Sequence, residues 1–356
     1  MRIAQLAPLA ESVPPKLYGG TERVVAWLVD ELVELGNDVR LFASGDSRTK
    51  ARLHPVWPRA LRLGRRGVDP HAVCAALLEA IAKRATEFDV IHAHIDWLHL
   101  PLLSRLGVPF LTTMHGRLDL GLTTWSFPKA RSCRYPTISA CLFGRQLDRH
   151  DRAWAAVGLF RPSYEQGSYL AFLGRLTADK GPEDAIRIAR ACRMPLRIAA
   201  KIPRTETVYF KKWLESHVDG EKVQLVGEVD EAKKQPFLAD AAALLFPIKW
   251  PEPFGLVMIE AMACGTPVIA YRAGSVPEVI DEGVTGFIVD SEEEAVQAVK
   301  NLARIDRRKV RAQFEERFTS DRMARAYESH YRRLVGPVRS TRLEAARADL
   351  ESGSVP

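Results

Sequence analysis

The sequence lacks the patterns that mark several common classes of protein. Its 356 residues contain no run of 18 apolar residues, and the opening MRIAQLAP lacks the apolar stretch of a secretion signal. The five cysteines include no C-x-x-C pair, which is against a disulfide framework or a zinc site. We therefore expect reduced thiols, no transmembrane segment and a cytoplasmic location.

Signatures of nucleotide and metal sites are also missing. No G-x-G-x-x-G fingerprint follows the first apolar run, and no G-x-x-x-x-G-K-[ST] motif occurs, which is against the common dinucleotide and P-loop sites. There is no D-x-D tripeptide, so nothing demands a metal-chelated diphosphate. We expect neither a bound metal nor a cofactor.

The charge is mildly basic. Lys and Arg number 51 against 44 Asp and Glu, a net charge of +7. Such an excess can attract nucleic acid, anionic lipid or a phosphorylated substrate. No lysine-rich run and no basic stripe with interleaved aromatic residues occurs, so we expect an ordinary enzyme surface and no nucleic-acid partner. A peripheral membrane contact stays open.

What the sequence does contain is a repeated alternation of strands and helices. TERVVAWLVDELVELG has apolar residues at helical spacing and lies between apolar runs at 3–8 and 39–43. Helices at 71–87 and 98–106 alternate with strands at 90–91 and 109–113. After residue 168, strands recur at 169–173, 196–200, 223–226, 243–246, 267–270 and 286–289, separated by helical stretches. This order predicts an α/β fold with two parallel, doubly wound, Rossmann-like sheets.

One segment interrupts the alternation. Residues 121–165 hold seven Lys or Arg against three Asp or Glu, two of the five cysteines, and little periodicity. A long loop without secondary structure is unusual inside a compact domain, so this segment is either functional or atypical sequence.

The stretch WPEPFGLVMIEAMA, residues 250–263, predicts a helix terminus suited to an anion. Residues 256–263 are predicted to form a helix. Pro253 suits the first turn of a helix, which would leave orphan N–H donors on Phe254, Gly255 and Leu256. Such a terminus can bind a phosphate or a sugar oxygen, and Gly255 permits close approach. The alternative is an ordinary helix start.

Glu260 lies on the same helix among apolar residues. An unpaired buried charge is costly, so this acid requires a partner, and a sugar or ribose diol would supply one. The alternative is a solvated glutamate.

Two further phosphate candidates precede helices. In LAFLGRLTADKGPEDAIRIARAC, Arg175 ends a strand and Lys180 precedes the helix that starts near Pro182, so both cations converge on one helix N-terminus. Gly19 and Gly20 lie where the first helix begins, so their N–H groups could face an anion, with a plain tight turn as the alternative.

Three histidines follow predicted strands of the first half. His92 and His94 lie two residues apart and therefore point to the same side of the strand. They are possible metal ligands, but no third ligand is obvious. His115 follows the strand at 109–113, at the sheet edge where ligands bind open α/β sheets. The alternative for His115 is a histidine that is hydrogen-bonded in a turn.

Cations and N–H donors for a diphosphate, with an acid for a diol, describe a nucleotide-sugar site. At these residues the sequence resembles the retaining glycosyltransferases of family 4, which have the GT-B architecture. The resemblance covers residues 1–118 and 168–335. Its most specific part is Glu252 to Glu260, which matches the family's E-x7-E motif, together with LGRLTADKG and CGTPVIAYRAGSVPEVI. The segments VPPKLYGGTERVV and LFASGDS are similar to a bacterial subgroup that includes pterin glucosyltransferases.

The resemblance implies a role for each site residue. Arg175 and Lys180 would hold the donor diphosphate, and Glu260 would hold the ribose hydroxyls. Glu252 would lie beside the donor sugar, with the N–H groups of Phe254, Gly255 and Leu256. His115 would touch that sugar from the other domain, and Gly19 and Gly20 would approach the phosphate.

The resemblance also implies an organisation and an activity. We place a first domain at 1–164, a nucleotide-sugar-binding domain at 165–318, a helix that returns to the first domain at 319–335, and a tail at 336–356. The expected activity is a retaining, metal-independent hexosyl transfer from a nucleoside diphosphate sugar, with UDP-glucose as the model donor. The acceptor is an unidentified small molecule, glycan or lipid. Two alternatives stay open: a catalytically impaired nucleotide-sugar-binding protein of the same fold, and a nucleotide-sugar epimerase.

Overall fold

The computed structural model describes residues 1–17, 19–62, 64, 67–116, 158–202 and 204–336, together with the short strand Ala140–Cys141. Most of the 121–165 segment and the tail beyond residue 336 therefore lie outside the described residues.

The first half of the chain forms a six-stranded sheet with the order β3-β2-β1-β4-β5-β6. Its strands are β1 (Arg2–Leu6), β2 (Asp38–Ser44), β3 (Arg52–Trp57), β4 (Val90–Ala93), β5 (Phe110–Thr113) and β6 (Ala140–Cys141). The first five pair in parallel, and β6 pairs antiparallel with β5. Strand β3 was not predicted, because an edge strand with a proline and with only exposed or half-buried residues lacks the pattern of a buried strand.

The helices of this half are α1 (Gly20–Glu34), α2 (Pro70–Ala82) and α3 (Leu100–Leu103). Helix α2 ends earlier than the predicted residue 87, and a separate short turn follows at Ala85–Glu87. Helix α3 is a single turn rather than the predicted 98–106, and the chain leaves it before Gly107, whose φ is 69°.

The second half forms another six-stranded sheet, with the order β12-β11-β10-β7-β8-β9 and only parallel pairs. Its strands are β7 (Tyr169–Arg175), β8 (Leu196–Lys201), β9 (Val223–Gly227), β10 (Ala241–Phe246), β11 (Val268–Tyr271) and β12 (Gly286–Val289). Its helices are α4 (Pro182–Cys192), α5 (Glu231–Ala239), α6 (Leu256–Ala263), α7 (Val276–Val279), α8 (Glu292–Lys300) and α9 (Arg307–Arg317). Irregular helical turns occupy residues 204–217 between β8 and β9.

The second sheet is covered on both faces. Strand β10 reads AAALLF and is buried along its whole length, as expected for the centre of a parallel sheet with helices on each side. Buried residues of α6 and α9 pack with one apolar cluster, and those of α4 and α8 with the other. The predicted fold class, two parallel doubly wound sheets, is thus confirmed.

The last described helix, α10 (Ser320–Val335), packs against α1 and β4 of the first half. Its Tyr331 hydroxyl accepts a hydrogen bond from Gln5 Nε2 at 3.1 Å, and Glu328 accepts one from Asn37 at 3.0 Å. This helix therefore joins the end of the second half to the first sheet.

The boundary between the halves at 164/165 stays a prediction. The Ser163 N–H already donates to the carbonyl of Cys264 in the second half, at 3.0 Å, and Arg311 donates to the carbonyl of Phe160, at 2.9 Å. Among the described residues, no helix has both the length and the apolar character needed to cross a bilayer.

Candidate active site

A cavity of about 630 Å³ lies between the two sheets, at the carboxyl ends of β5, β7, β8 and β10. This is the edge at which open α/β sheets bind ligands, and the volume is typical of a ligand pocket. Every residue that the sequence proposed for the site lines this cavity: Gly19, Gly20, His115, Arg175, Lys180, Glu252, Phe254, Gly255, Leu256 and Glu260. The fold therefore brings all ten together, while their individual roles stay predictions.

The helix in this cavity has the predicted bounds, but Pro253 does not lie in its first turn. Helix α6 starts at Leu256, and its N-cap Gly255 has a left-handed backbone with φ 77°. This conformation interrupts the helix, so Pro253 precedes it and does not occupy its first turn. A Cβ on Gly255 would lie 2.7 Å from Met258 Cε, so both the backbone angle and the space require glycine here.

The N–H groups of Phe254, Gly255 and Leu256 are free to meet a ligand. The hydrogen bonds formed within the described ranges of the chain use none of the three as donors. They lie at the positive end of α6, on the wall of the cavity. The arrangement suits a bound anion even though the helix starts after Pro253.

The loop before α6 is held by a second loop that sequence reasoning did not include. The Ser275 N–H donates to the carbonyl of Glu252 at 3.0 Å, and Ser275 Oγ donates to the carbonyl of Phe254 at 2.8 Å. A Cβ on Gly274 would lie 2.3 Å from the Glu252 carbonyl oxygen. Gly274 and Ser275 belong to the segment CGTPVIAYRAGSVPEVI, which is part of the family resemblance. The sequence analysis used this segment to recognise the family and did not predict its contact with the loop before α6.

Lys180 and Glu252 form an ion pair at the cavity wall. Lys180 Nζ hydrogen-bonds Glu252 Oε2, and the two side chains are 13% and 14% exposed. The same ammonium lies 5.1 Å from the centre of the Trp250 ring, a cation–π distance. The ion pair therefore holds the Lys180 ammonium at the cavity wall. Gly181 ends the short helical turn that contains Lys180.

Glu260 has a protein partner that the sequence analysis did not foresee. Its carboxylate is buried, and Lys234 Nζ of α5 lies 2.6 Å from Oε1. Burial lowers the pKa of the Lys234 ammonium, and the neighbouring Glu260 carboxylate partly opposes that shift. A diol is thus not needed to pair the charge, although Glu260 does line the cavity. Lys234 lies three and four positions before Phe237 and Leu238, which are buried residues of α5. This helical spacing could have predicted that Lys234 is on the buried side of the helix.

Ion pairs also join the two halves beside the cavity. Arg23 of α1 is buried and pairs with Glu231 at the start of α5. Arg62 lies 3.2 Å from Glu228 across the same boundary. Burial raises the pKa of the adjacent Glu22, which also lines the cavity. No sequence pattern singled out these residues, because the partners lie more than 150 positions apart.

The histidines of the first sheet form hydrogen bonds with protein groups. His92 Nδ1 lies 2.7 Å from Tyr331 OH and Nε2 lies 2.8 Å from Thr113 Oγ1. His94 Nδ1 lies 2.9 Å from His115 Nε2, and its own Nε2 lies 2.9 Å from Gln5 Oε1.

These contacts use both ring nitrogens of His92 and of His94, which leaves neither ring a nitrogen for a metal. Within the described ranges, no group of three or more His, Cys, Asp or Glu could hold a metal ion. Burial lowers the pKa of His115 to about 4 and holds the pKa of His92 and His94 well below the usual value. All three rings are therefore neutral at pH 7.

Comparisons with known proteins define the class. Residues 160–319 match the family model described as Glycosyl transferases group 1, and residues 18–154 match the model Glycosyltransferase Family 4. The two matches follow one another along most of the chain, in the order of the two sheets. The protein belongs to the GT-B glycosyltransferases of this type, and it is an enzyme.

Individual relatives agree with this assignment. A D-inositol 3-phosphate glycosyltransferase of Pseudarthrobacter chlorophenolicus is 26% identical over 331 residues, covering 76% of this chain and 78% of that protein. Two solved structures share the fold. Sucrose-phosphate synthase from Thermosynechococcus elongatus has a TM-score of 0.72 at 20% identity and covers 94% of this chain and 99% of its own. HepE from Anabaena, in complex with UDP and glucose, has a TM-score of 0.67 at 18% identity and covers 93% and 99%.

Proposed function

We propose that this enzyme transfers a hexose from a nucleoside diphosphate sugar to an acceptor hydroxyl, with retention at the anomeric carbon and without a metal ion. The observation that carries the proposal is the composition of the cavity. Among its lining groups it combines Arg175 and Lys180 with the free N–H groups at the start of α6 and the buried Glu260 carboxylate, drawn from separate elements.

The donor roles follow from the chemistry of these groups. Arg175 and Lys180 supply charge-assisted bonds to the diphosphate, and the N–H groups of residues 254–256 supply neutral donors beside it. Glu260 accepts from the ribose hydroxyls, and the Lys234 ammonium holds that carboxylate in place. Gly19 and Gly20 line the same space from the first half, and we assign them to the approach of the phosphate.

UDP-glucose is the donor that we would test first. HepE, which shares the fold, was solved with UDP and glucose. At 18% identity this likeness concerns the fold, so ADP- and GDP-sugars belong in the same test.

The mechanism is electrostatic. As the bond from the sugar to the diphosphate breaks, negative charge grows on the leaving group, and the two cations with the α6 terminus stabilise it. Glu252 is paired with Lys180, so we assign it to orienting the sugar and the lysine and not to covalent attack. Departure and attack then take place on the same face of the sugar, which accounts for retention.

The acceptor is a small molecule, a glycan or a lipid that enters from the first half of the chain. The similarity of VPPKLYGGTERVV and LFASGDS to pterin glucosyltransferases makes a pterin one acceptor to include.

A donor screen tests the proposal directly. Thermal shift with UDP-, ADP- and GDP-sugars should show stabilisation by one class, followed by release of the sugar in a transfer or hydrolysis assay. Stabilisation without release by any donor or acceptor would favour the catalytically impaired alternative. Conversion of the donor into a different nucleotide sugar, without transfer, would favour an epimerase.

Two variants test the division of labour between the halves. His115→Ala and Glu252→Gln should each lower turnover strongly, while nucleotide affinity stays the same or rises as Lys180 is released from Glu252. Glu293→Gln, an exposed position on α8, is the matched control and should leave both quantities unchanged. If His115→Ala weakens nucleotide affinity as much as Lys180→Ala, with no separate effect on turnover, the proposed division is wrong.

A further inference from the structure

We propose that His94 is a positioning residue that holds His115 as a neutral ring with its Nε2–H directed inward, leaving Nδ1 as an acceptor for a hydroxyl of the donor sugar. We infer further that Tyr331 of α10 completes this arrangement, so the returning helix is part of the sugar site. The inference rests on the function proposed for the same cavity.

A continuous series of hydrogen bonds connects two points on the cavity wall. It starts at His115 and ends at Tyr327, and both line the cavity. The successive contacts are His115 Nε2 to His94 Nδ1 (2.9 Å), His94 Nε2 to Gln5 Oε1 (2.9 Å), Gln5 Nε2 to Tyr331 OH (3.1 Å), Tyr331 OH to His92 Nδ1 (2.7 Å), His92 Nε2 to Thr113 Oγ1 (2.8 Å), and Thr113 Oγ1 to Tyr327 OH (2.9 Å). Every member between the two ends is buried.

Gln5 sets the direction of the bonds towards His115. Its amide oxygen can only accept, so His94 Nε2 must carry the proton that it donates to Oε1. A neutral imidazole has a single N–H, so His94 Nδ1 is an acceptor and receives the proton of His115 Nε2. By the same rule, His115 Nδ1 is unprotonated and has a lone pair.

The amide nitrogen of Gln5 sets the direction on the other side. It donates to the Tyr331 hydroxyl, which in turn donates to His92 Nδ1. His92 Nε2–H then donates to Thr113, and Thr113 and Tyr327 share the next hydrogen bond, in which either hydroxyl can donate. Each buried group thus has a compatible partner, which is the condition for a polar network in a protein interior.

The surroundings keep the rings neutral. Burial lowers the pKa of His115 to about 4, and burial together with the neighbouring histidines lowers the pKa of His94 well below its usual value. A proton on His94 Nδ1 would remove the acceptor for His115, so this neutrality preserves the order of the bonds.

The consequence concerns the donor sugar. The described part of the chain offers His115 Nδ1 no partner, and His115 lines the cavity next to the proposed sugar position. A lone pair there accepts from a sugar hydroxyl, whereas an N–H would have to donate to one. The tautomer therefore decides which hydrogen bond the site forms, and the Gln5 amide that sets it contacts Tyr331 of α10, more than 200 residues beyond His115 in the sequence.

Nuclear magnetic resonance of protein labelled with ¹⁵N-histidine tests the tautomer without any turnover. At neutral pH, His115, assigned through a His115→Gln variant, should show a protonated Nε2 and an unprotonated Nδ1. The opposite orientation of the Gln5 amide would reverse every donor and place the proton of His115 on Nδ1. Either that tautomer or a doubly protonated ring would overturn the inference.

Two substitutions of His94 separate positioning from packing. In His94→Asn the side-chain oxygen can take the place of Nδ1 and accept from His115, whereas His94→Gln places its amide nearer to Nε2. We expect Asn to retain more kcat than Gln, with losses of about threefold to tenfold for each hydrogen bond removed, and little change in nucleotide affinity. A role in packing alone predicts the reverse order, because glutamine is closer to histidine in volume.

His99→Gln is the control for the disturbance of a buried histidine. His99 bonds Thr112 on the same sheet, at 2.6 Å, and is not part of the network. Its kcat should stay close to that of the wild type, and a loss equal to that of His94→Gln would overturn the assignment. If the wild type transfers no sugar, the proposed function fails, and the tautomer measurement still decides the inference about His115.

Discussion

Lys234 Nζ lies 2.6 Å from Glu260 Oε1, with the two side chains only 10% and 2% exposed. The contact joins α5 to α6 and gives the acid a permanent partner inside the protein. Glu260 is therefore held in place in the lining of the cavity, and a ribose would bind to an acid that already has a cationic partner.

The first prediction concerns the stability that this pair provides. Lys234→Met leaves Glu260 buried without its partner, and breaking a buried pair costs about 3–5 kcal/mol. Urea denaturation should show this loss, and the double variant Lys234→Met/Glu260→Gln should recover much of it. Lys233→Met, at the exposed neighbouring position, should unfold like the wild type. Equal unfolding midpoints for Lys234→Met and Lys233→Met would contradict the prediction.

The second prediction concerns the diphosphate. Lys180→Ala or Arg175→Ala removes a charge-assisted hydrogen bond worth about 1.5–3 kcal/mol, so UDP affinity should fall roughly tenfold or more. Isothermal calorimetry measures this effect. Lys249→Ala is the control, since Lys249 pairs with Asp184 outside the cavity lining. Unchanged binding in both cavity variants would refute the assignment of these cations.

The third prediction concerns pH. Burial lowers the pKa of His99 to about 4, whereas histidine in an unfolded chain titrates near about 6.5. Between these values the unfolded state binds more protons, so the free energy of unfolding falls as the pH is lowered, by up to about 1.4 kcal/mol per pH unit for such a group. Above this window the contribution is constant.

Urea denaturation from about pH 7.5 to about pH 5 measures this slope. His99→Gln removes one titrating group but leaves the carboxylates in place, so its stability should depend less steeply on pH. Identical slopes for the variant and the wild type would show that His99 titrates normally in the folded state.

The fourth prediction concerns metals. In the proposed mechanism, Arg175, Lys180 and the α6 terminus supply the positive charge that a metal would otherwise bring to the diphosphate, and the sequence has no D-x-D tripeptide. Excess EDTA should therefore leave sugar release nearly unchanged. Loss of activity that magnesium or manganese restores would contradict the metal-independent mechanism.

The sequence by itself determined the elements and their order. Alternating strands and amphipathic helices predicted both sheets, because burial periodicity is a local property that each segment carries within its own residues. The bounds of the helix from Leu256 to Ala263 agree with those predicted, since its apolar run is continuous. Edge strand β3 was not predicted, because its exposed and half-buried residues show little of the apolar periodicity that marks a buried strand.

Only the tertiary structure decided how the groups are paired. Glycines, cations and acids at strand and helix ends pointed to a phosphate and sugar site, and the fold placed them in one cavity. That Lys234 contacts Glu260, that Lys180 contacts Glu252, and that Tyr331 reaches His92 across 239 positions could not be read locally. Such contacts depend on which faces of distant elements meet when the two sheets and α10 pack together, and no short stretch of sequence records that geometry.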